Sequence, residues 1–202
     1  GTRYSDNGNI GTTAARLTLA NERHRLSAIA EFDDGDDIST PKGDILPTRL
    51  ERDRYDLSYA YTDGGNEFLV FAGKLDTGET GTPALPMDID YFEGDLYDIS
   101  YRYAPAGGIE VQASVYASEL DHGMTNYHLR QSPSSPGRWR QNIATTDNLG
   151  FRLQAALADD SGTWTAGIDG FSEEHDSNID NPNNPMFFVV NFNAAEREIL
   201  GA

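Results

Sequence analysis

Two side chains in this sequence have the chemistry to hold a soft metal ion. His122 and Met124 stand two apart in the stretch Asp121-His122-Gly123-Met124-Thr125-Asn126-Tyr127. On an extended chain, residues two apart project to the same side. An imidazole nitrogen beside a thioether sulfur suits Cu(I) and is a poor set for calcium or magnesium. Two ligands do not complete a site, so at least one more must come from elsewhere. Spacing alone leaves a second reading open, in which His122 and Met124 are chance neighbours in a loop, and for so short a motif that is the commoner case.

The other candidate groups are weaker. Asp33-Asp34-Gly35-Asp36-Asp37 has the start of a calcium loop but lacks the later ligand spacing and the terminal glutamate, so it reads as a solvated loop. His24, His128 and His175 are scattered and read as loop or strand-end residues. The run Pro182-Asn183-Asn184-Pro185-Met186-Phe187-Phe188-Val189 mixes turn formers with apolar residues. It reads as a folded, partly buried loop, with Met186 a weak further sulfur donor. No phosphate-binding loop, nucleophile elbow or paired-histidine zinc motif is present, and nothing asks for an enzyme. The absence of cysteine removes any disulfide framework and any thiolate ligand from these residues. A net charge of -18 argues against nucleic acid as a partner. That charge fits cation attraction, or simple solubility.

What must position these groups is a set of β-strands. Apolar and polar residues alternate along 109–118, where Ile109, Val111, Ala113, Val115 and Ala117 oppose Glu110, Gln112, Ser114, Tyr116 and Ser118. The same alternation runs through 54–62, 95–104 and 147–158. It is weaker in 67–76 and 163–173, where Phe68, Val70, Trp164 and Ile168 are the candidate outward residues. Segments 11–20 and 24–33 make a first hairpin. Short turns lie at 21–22, 63–66, 105–108 and 159–162, and long polar loops at 34–50, 77–94, 121–146 and 174–194. Short connections on one side and long ones on the other are how an outer-membrane barrel is wired. Continuing the parity of 110–118 sends His122 and Met124 into the lumen, barring a bulge. No apolar run is long enough for a transmembrane helix, which does not exclude strands.

The expected fold is therefore all-β, an antiparallel transmembrane β-barrel segment of about eight strands and the start of a ninth. Residues 1–202 read as one partial barrel domain, a fragment of a longer protein whose last residues open a further strand. A soluble β-sandwich would show the same alternation with its apolar face turned inward.

Three stretches carry a family resemblance: Leu85-Pro86-Met87-Asp88-Ile89-Asp90-Tyr91-Phe92, Asp121-His122-Gly123-Met124-Thr125-Asn126-Tyr127-His128-Leu129-Arg130, and the segment from Asn181 to Asn193. With them the chain resembles TonB-dependent outer-membrane receptors, and most of all their copper-uptake branch. The resemblance runs from about residue 10 to the end, and Asp-His-x-Met-x-Asn is its most specific part. It implies a Gram-negative outer membrane and an N-terminal plug inside a barrel of about 22 strands. It also implies energy drawn from the TonB complex through an N-terminal region outside this chain. In the copper branch a His-x-Met pair on the barrel wall and a Cys/Met pair on the plug hold the metal. His122 and Met124 match the wall half; the plug half has no counterpart here. The expected partners are outer-membrane lipid, the TonB complex, and a metal or metal chelate as cargo. Two rival readings remain: a receptor for a siderophore, contacted by 185–192 and Arg138-Trp139-Arg140, and a small closed structural or adhesion barrel.

Overall fold

The computed structural model describes all of the chain except residues 44–46, 107 and 160. The parts of the loop at 34–50 and of the turns at 105–108 and 159–162 that contain them lie outside the described residues. The strands are β1 (Thr2–Ser5), β2 (Ile10–Ala20), β3 (His24–Gly35), β4 (Leu50–Asp63), β5 (Asn66–Thr77), β6 (Asp88–Tyr103), β7 (Ile109–Thr125), β8 (Gln141–Asp159), β9 (Gly162–Asp180) and β10 (Phe188–Gly201). They form one antiparallel sheet in chain order. The all-β expectation holds, and a two-layer sandwich is not what forms.

Two features differ from the sequence reading. Among the described residues the sheet has ten strands, because β1 is too short to show a period and β10 is a full strand. Three of the four long loops are also shorter than expected, spanning 78–87, 126–140 and 181–187. The strands run on past the apolar alternation. Glu173-Glu174-His175-Asp176-Ser177-Asn178 is polar on both faces, yet its backbone stays paired with β8 throughout. Hydrophobic periodicity cannot report such a segment.

The ladder sorts side chains onto two faces. Leu26, Tyr59, Val70, Ile99, Val115 and Phe151 share one register row across β3 to β8. This face is uncovered: Ile99 is 51% exposed and Val115 52%. Among the described residues, Ala144 is the one buried apolar side chain. Monomeric soluble proteins rarely leave so large an apolar patch open. Tyr61, Tyr101 and Trp164 face the same side near the short-turn end, where an interfacial girdle is expected. Two rows above Val115 the face changes character, and Lys74, Asp95, Glu119, Asp147, Glu174 and Glu196 share a row. On β7 the apolar band therefore ends before Glu119.

The opposite face is polar and cross-linked. Arg54 pairs with Asp56 at 2.9 Å, and Arg102 Nε donates to Glu110 Oε1 at 2.8 Å. At the short-turn end, Gly64 and Gly65 (φ 54° and 87°) close the hairpin between Asp63 and Asn66. Positive φ at both central residues matches the twist of the strands.

Candidate metal centre

His122 and Met124 lie on β7 itself, not in a loop. Their orientation follows from register. The β7–β8 pairing is unbroken from Ile109↔Leu157 to Thr125↔Gln141. Both residues therefore stay on the polar face with Glu110, Gln112 and Ser114. A bulge does occur nearby, but on β6, where the register steps between Ile89 and Tyr91. It leaves the parity of β7 untouched. Both groups also stand above Glu119, beyond the apolar band.

The surroundings of His122 are aromatic and small. Its row on the polar face reads Phe92, His122, Ala144, Ser177 and Phe192. The imidazole stacks on Phe92 with centroids 6.0 Å apart and planes at 28°. Burial pushes the His122 pKa below its usual value; the charge of His175 adds to this and Asp121 opposes it. The ring is then neutral near pH 7, the form that offers a lone pair to a metal. Met124 faces Ile89 on β6 and Asn142 on β8. Ser177 Oγ donates to Asn142 Oδ1 at 3.0 Å, fixing that neighbour.

Gly123, between the two candidate ligands, meets a steric demand. The Tyr91 ring lies against it from β6, and a Cβ at 123 would overlap that ring. Tyr91 in turn donates its hydroxyl to Asp121 Oδ1 at 3.2 Å. The neighbours of His122 on both sides are thus tied to β6.

His175 is a residue that hydrophobic periodicity does not single out. It sits on the polar face of β9 in the row just below His122, opposite Thr146. Its Nδ1 is 2.6 Å from Thr146 Oγ1, and its ring meets Phe192 edge-on at 4.9 Å. Parity carried along β9 from Trp164 and Ile168 and on past 173 is the signal that places it there. Other candidates are elsewhere. His24 lies at the short-turn end, 2.8 Å from the Tyr59 hydroxyl. Met186 is 90% exposed at a loop tip, and the residues from 182 to 186 are exposed with it, so that loop is less buried than expected. Three of the Asp33–Asp37 acids are engaged within the protein. Asp33 accepts from Arg52 Nε at 2.9 Å, Asp36 from Asn9, and Asp37 Oδ1 from the Thr48 and Arg49 N–H groups.

A packed cap stands over the end of β7. Asp88, 1% exposed, pairs with Thr125 one residue beyond Met124. Arg130 grips it with two hydrogen bonds of 2.7 Å and also donates to the Leu85 and Thr82 carbonyls. Burial pushes the Asp88 pKa up, but Arg130 and the Thr82 N–H outweigh it and hold the carboxyl below its usual range. Tyr127 stacks on Trp139 at 4.7 Å, and Arg140 lies over Phe187 at 3.9 Å. The loops 78–87, 126–140 and 181–187 are therefore folded against one another at the end of β7.

No protein-family model matches the chain, and no curated protein matches it either. Among solved structures, it is similar to one described as "Copper transporter OprC", with a TM-score of 0.79 and 21% sequence identity. The match covers 91% of this chain and 30% of that protein, so the chain spans under a third of its length. The likeness establishes the fold, an all-β antiparallel sheet shared with part of that structure.

Proposed function

We propose that residues 1–202 are a single partial barrel domain in the wall of an outer-membrane transport receptor for copper. The observation that carries this reading is the placement of His122 and Met124. They lie side by side on the polar face, just above the apolar band, in an unbroken register. The likeness to a copper transporter supports the same cargo. The apolar face would meet outer-membrane lipid, and the polar face would line the lumen. The task is capture, with no bond made or broken in the substrate. The acidic surface raises the local cation concentration. An imidazole nitrogen of His122 and the Met124 sulfur hold Cu(I), with the remaining donors supplied from outside this chain. Energy for release inward would come from TonB through segments that these residues do not include. A siderophore cargo has less support, because Trp139 and Arg140 are engaged in loop packing.

The test is Met124→Leu in the full-length receptor, which keeps the shape and removes the sulfur. Copper affinity under reducing conditions is expected to fall by about 10-fold or more, the scale of losing a group that supports a metal. The fold, read by heat-modifiability and circular dichroism, should not change. Unchanged copper affinity sinks the assignment.

A further inference from the structure

We propose that Glu79, Asp90 and His128 form a metal site of their own in the loops, taking a divalent transition ion through one imidazole and two carboxylates. The three come from separate segments: the 78–87 loop, the start of β6 and the 126–140 loop. One donor atom of each lies within 4.8 Å of the others. His128 Nδ1 is 2.6 Å from Asp90 Oδ1, and Nε2 is 3.4 Å from Glu79 Oε1. The imidazole is 52% exposed and the carboxylates 31% and 30%, so an ion can reach the group from solvent.

The backbone under these side chains is built to hold them. Thr80 and Ile89 form an isolated bridge with two N–H···O bonds of 2.9 Å, which sets Glu79 and Asp90 on facing arms. Asp90 is the residue left over where β6 steps from Ile89↔Met124 to Tyr91↔Gly123. A bulge frees such a residue from the ladder and re-aims its side chain. His128 stands two residues before Arg130, which is fixed on buried Asp88. Ligands carried on rigid arms need little rearrangement to bind.

The donor set chooses the ion. One nitrogen and two carboxylate oxygens, with no sulfur, favour Cu(II) or Zn(II) over Cu(I). Two carboxylates balance a divalent charge once Glu79 releases Arg49, whose Nη1 stands 3.2 Å from its Oε2. The same preference for positive charge acts on the proton. The Asp90 hydrogen bond raises the His128 pKa, burial opposes it, and the charges of Asp90 and Glu79 add to the rise. A metal would displace that proton. The site does not depend on the copper-cargo reading, since it uses neither His122 nor Met124.

The experiment is a Cu(II) titration of the full-length receptor, stripped with chelator and kept without reductant, followed by electron paramagnetic resonance. A bound Cu(II) signal with one imidazole nitrogen coupled is expected. His128→Asn should weaken it by at least about 10-fold. Glu79→Gln, an isosteric change at a half-exposed position, should weaken it too and guards against a folding defect in the first variant. Met124→Leu should leave it intact. Absence of bound Cu(II) at micromolar concentrations would overturn the proposal and leave His128 as an ionic clamp between loops. So would a signal that is equal in wild type, His128→Asn and Glu79→Gln. Failure of the cargo reading shows separately, in Cu(I) affinity.

Discussion

Arg130→Ala is expected to loosen the cap over β7 by about 3 kcal/mol, the lower range for stripping the partner from a buried charge. The guanidinium makes four hydrogen bonds there, two to Asp88 and two to main-chain carbonyls. Without it, Asp88 keeps the Thr82 N–H at 2.8 Å but has no counter-charge. Limited proteolysis within 78–87 and 126–140 should speed up roughly a hundredfold, because the cleavable open state is that much more populated. Arg130→Lys should recover little, since an ammonium cannot reproduce the two-pronged grip. Combining Asp88→Asn with Arg130→Ala should recover part of the loss, because the buried charge is gone. The same clamp gives a pH dependence. The folded pKa of Asp88 lies below its unfolded value. Its contribution is therefore fully present above the ordinary carboxylate pKa of about 3.9 and is lost as pH falls through the folded value. Proteolysis rates that are equal in wild type and Arg130→Ala would show that the loops hold without the clamp.

The second large effect concerns the apolar face. On the proposed reading, in which this face meets lipid, Ile99→Arg should cost about 2–4 kcal/mol of stability in lipid, the range for a basic residue near the bilayer midplane of a barrel. Its sequence neighbour offers the control. Ser100 points to the other face, where it borders a polar groove also lined by Glu67. Ser100→Arg should cost less, because the charge stays in water, although Arg16, Arg25, Arg102 and Arg152 line the same groove. Urea titration of refolding into liposomes reads both. Similar costs for the two variants would mean that Ile99 does not face lipid. In a protein that buried this face in an aqueous core, Ile99→Arg would be damaging in detergent-free buffer as well. Here Ile99 is half exposed.

The second experiment rests on the division into two faces, and that division is legible in the residues. Ile109, Val111, Ala113 and Val115 alternate with polar neighbours because a strand turns its side chains over at every step. The same rule carries His122 and Met124 to one side of β7. It stops where the apolar signal stops. Above Glu119 and Asp147 the apolar/polar alternation lapses, so the upper reaches of β7, β8 and β9 read as loop although their backbones remain paired. His175 is hidden there for that reason. β1 is hidden because its four residues are fewer than a period needs to declare itself.

Local order along the chain thus determined the strand class, the sidedness of each strand and the candidate ligand pair, since all three depend on neighbours in sequence. Tertiary structure alone decided what lies across the ladder. It put His175 on the same face as His122 two strands away, closed Arg130 on Asp88 from 42 positions away, and used a bulge at Asp90 to bring Glu79 and His128 together. Register and loop packing depend on contacts between residues far apart in the chain, and no period within one segment encodes them.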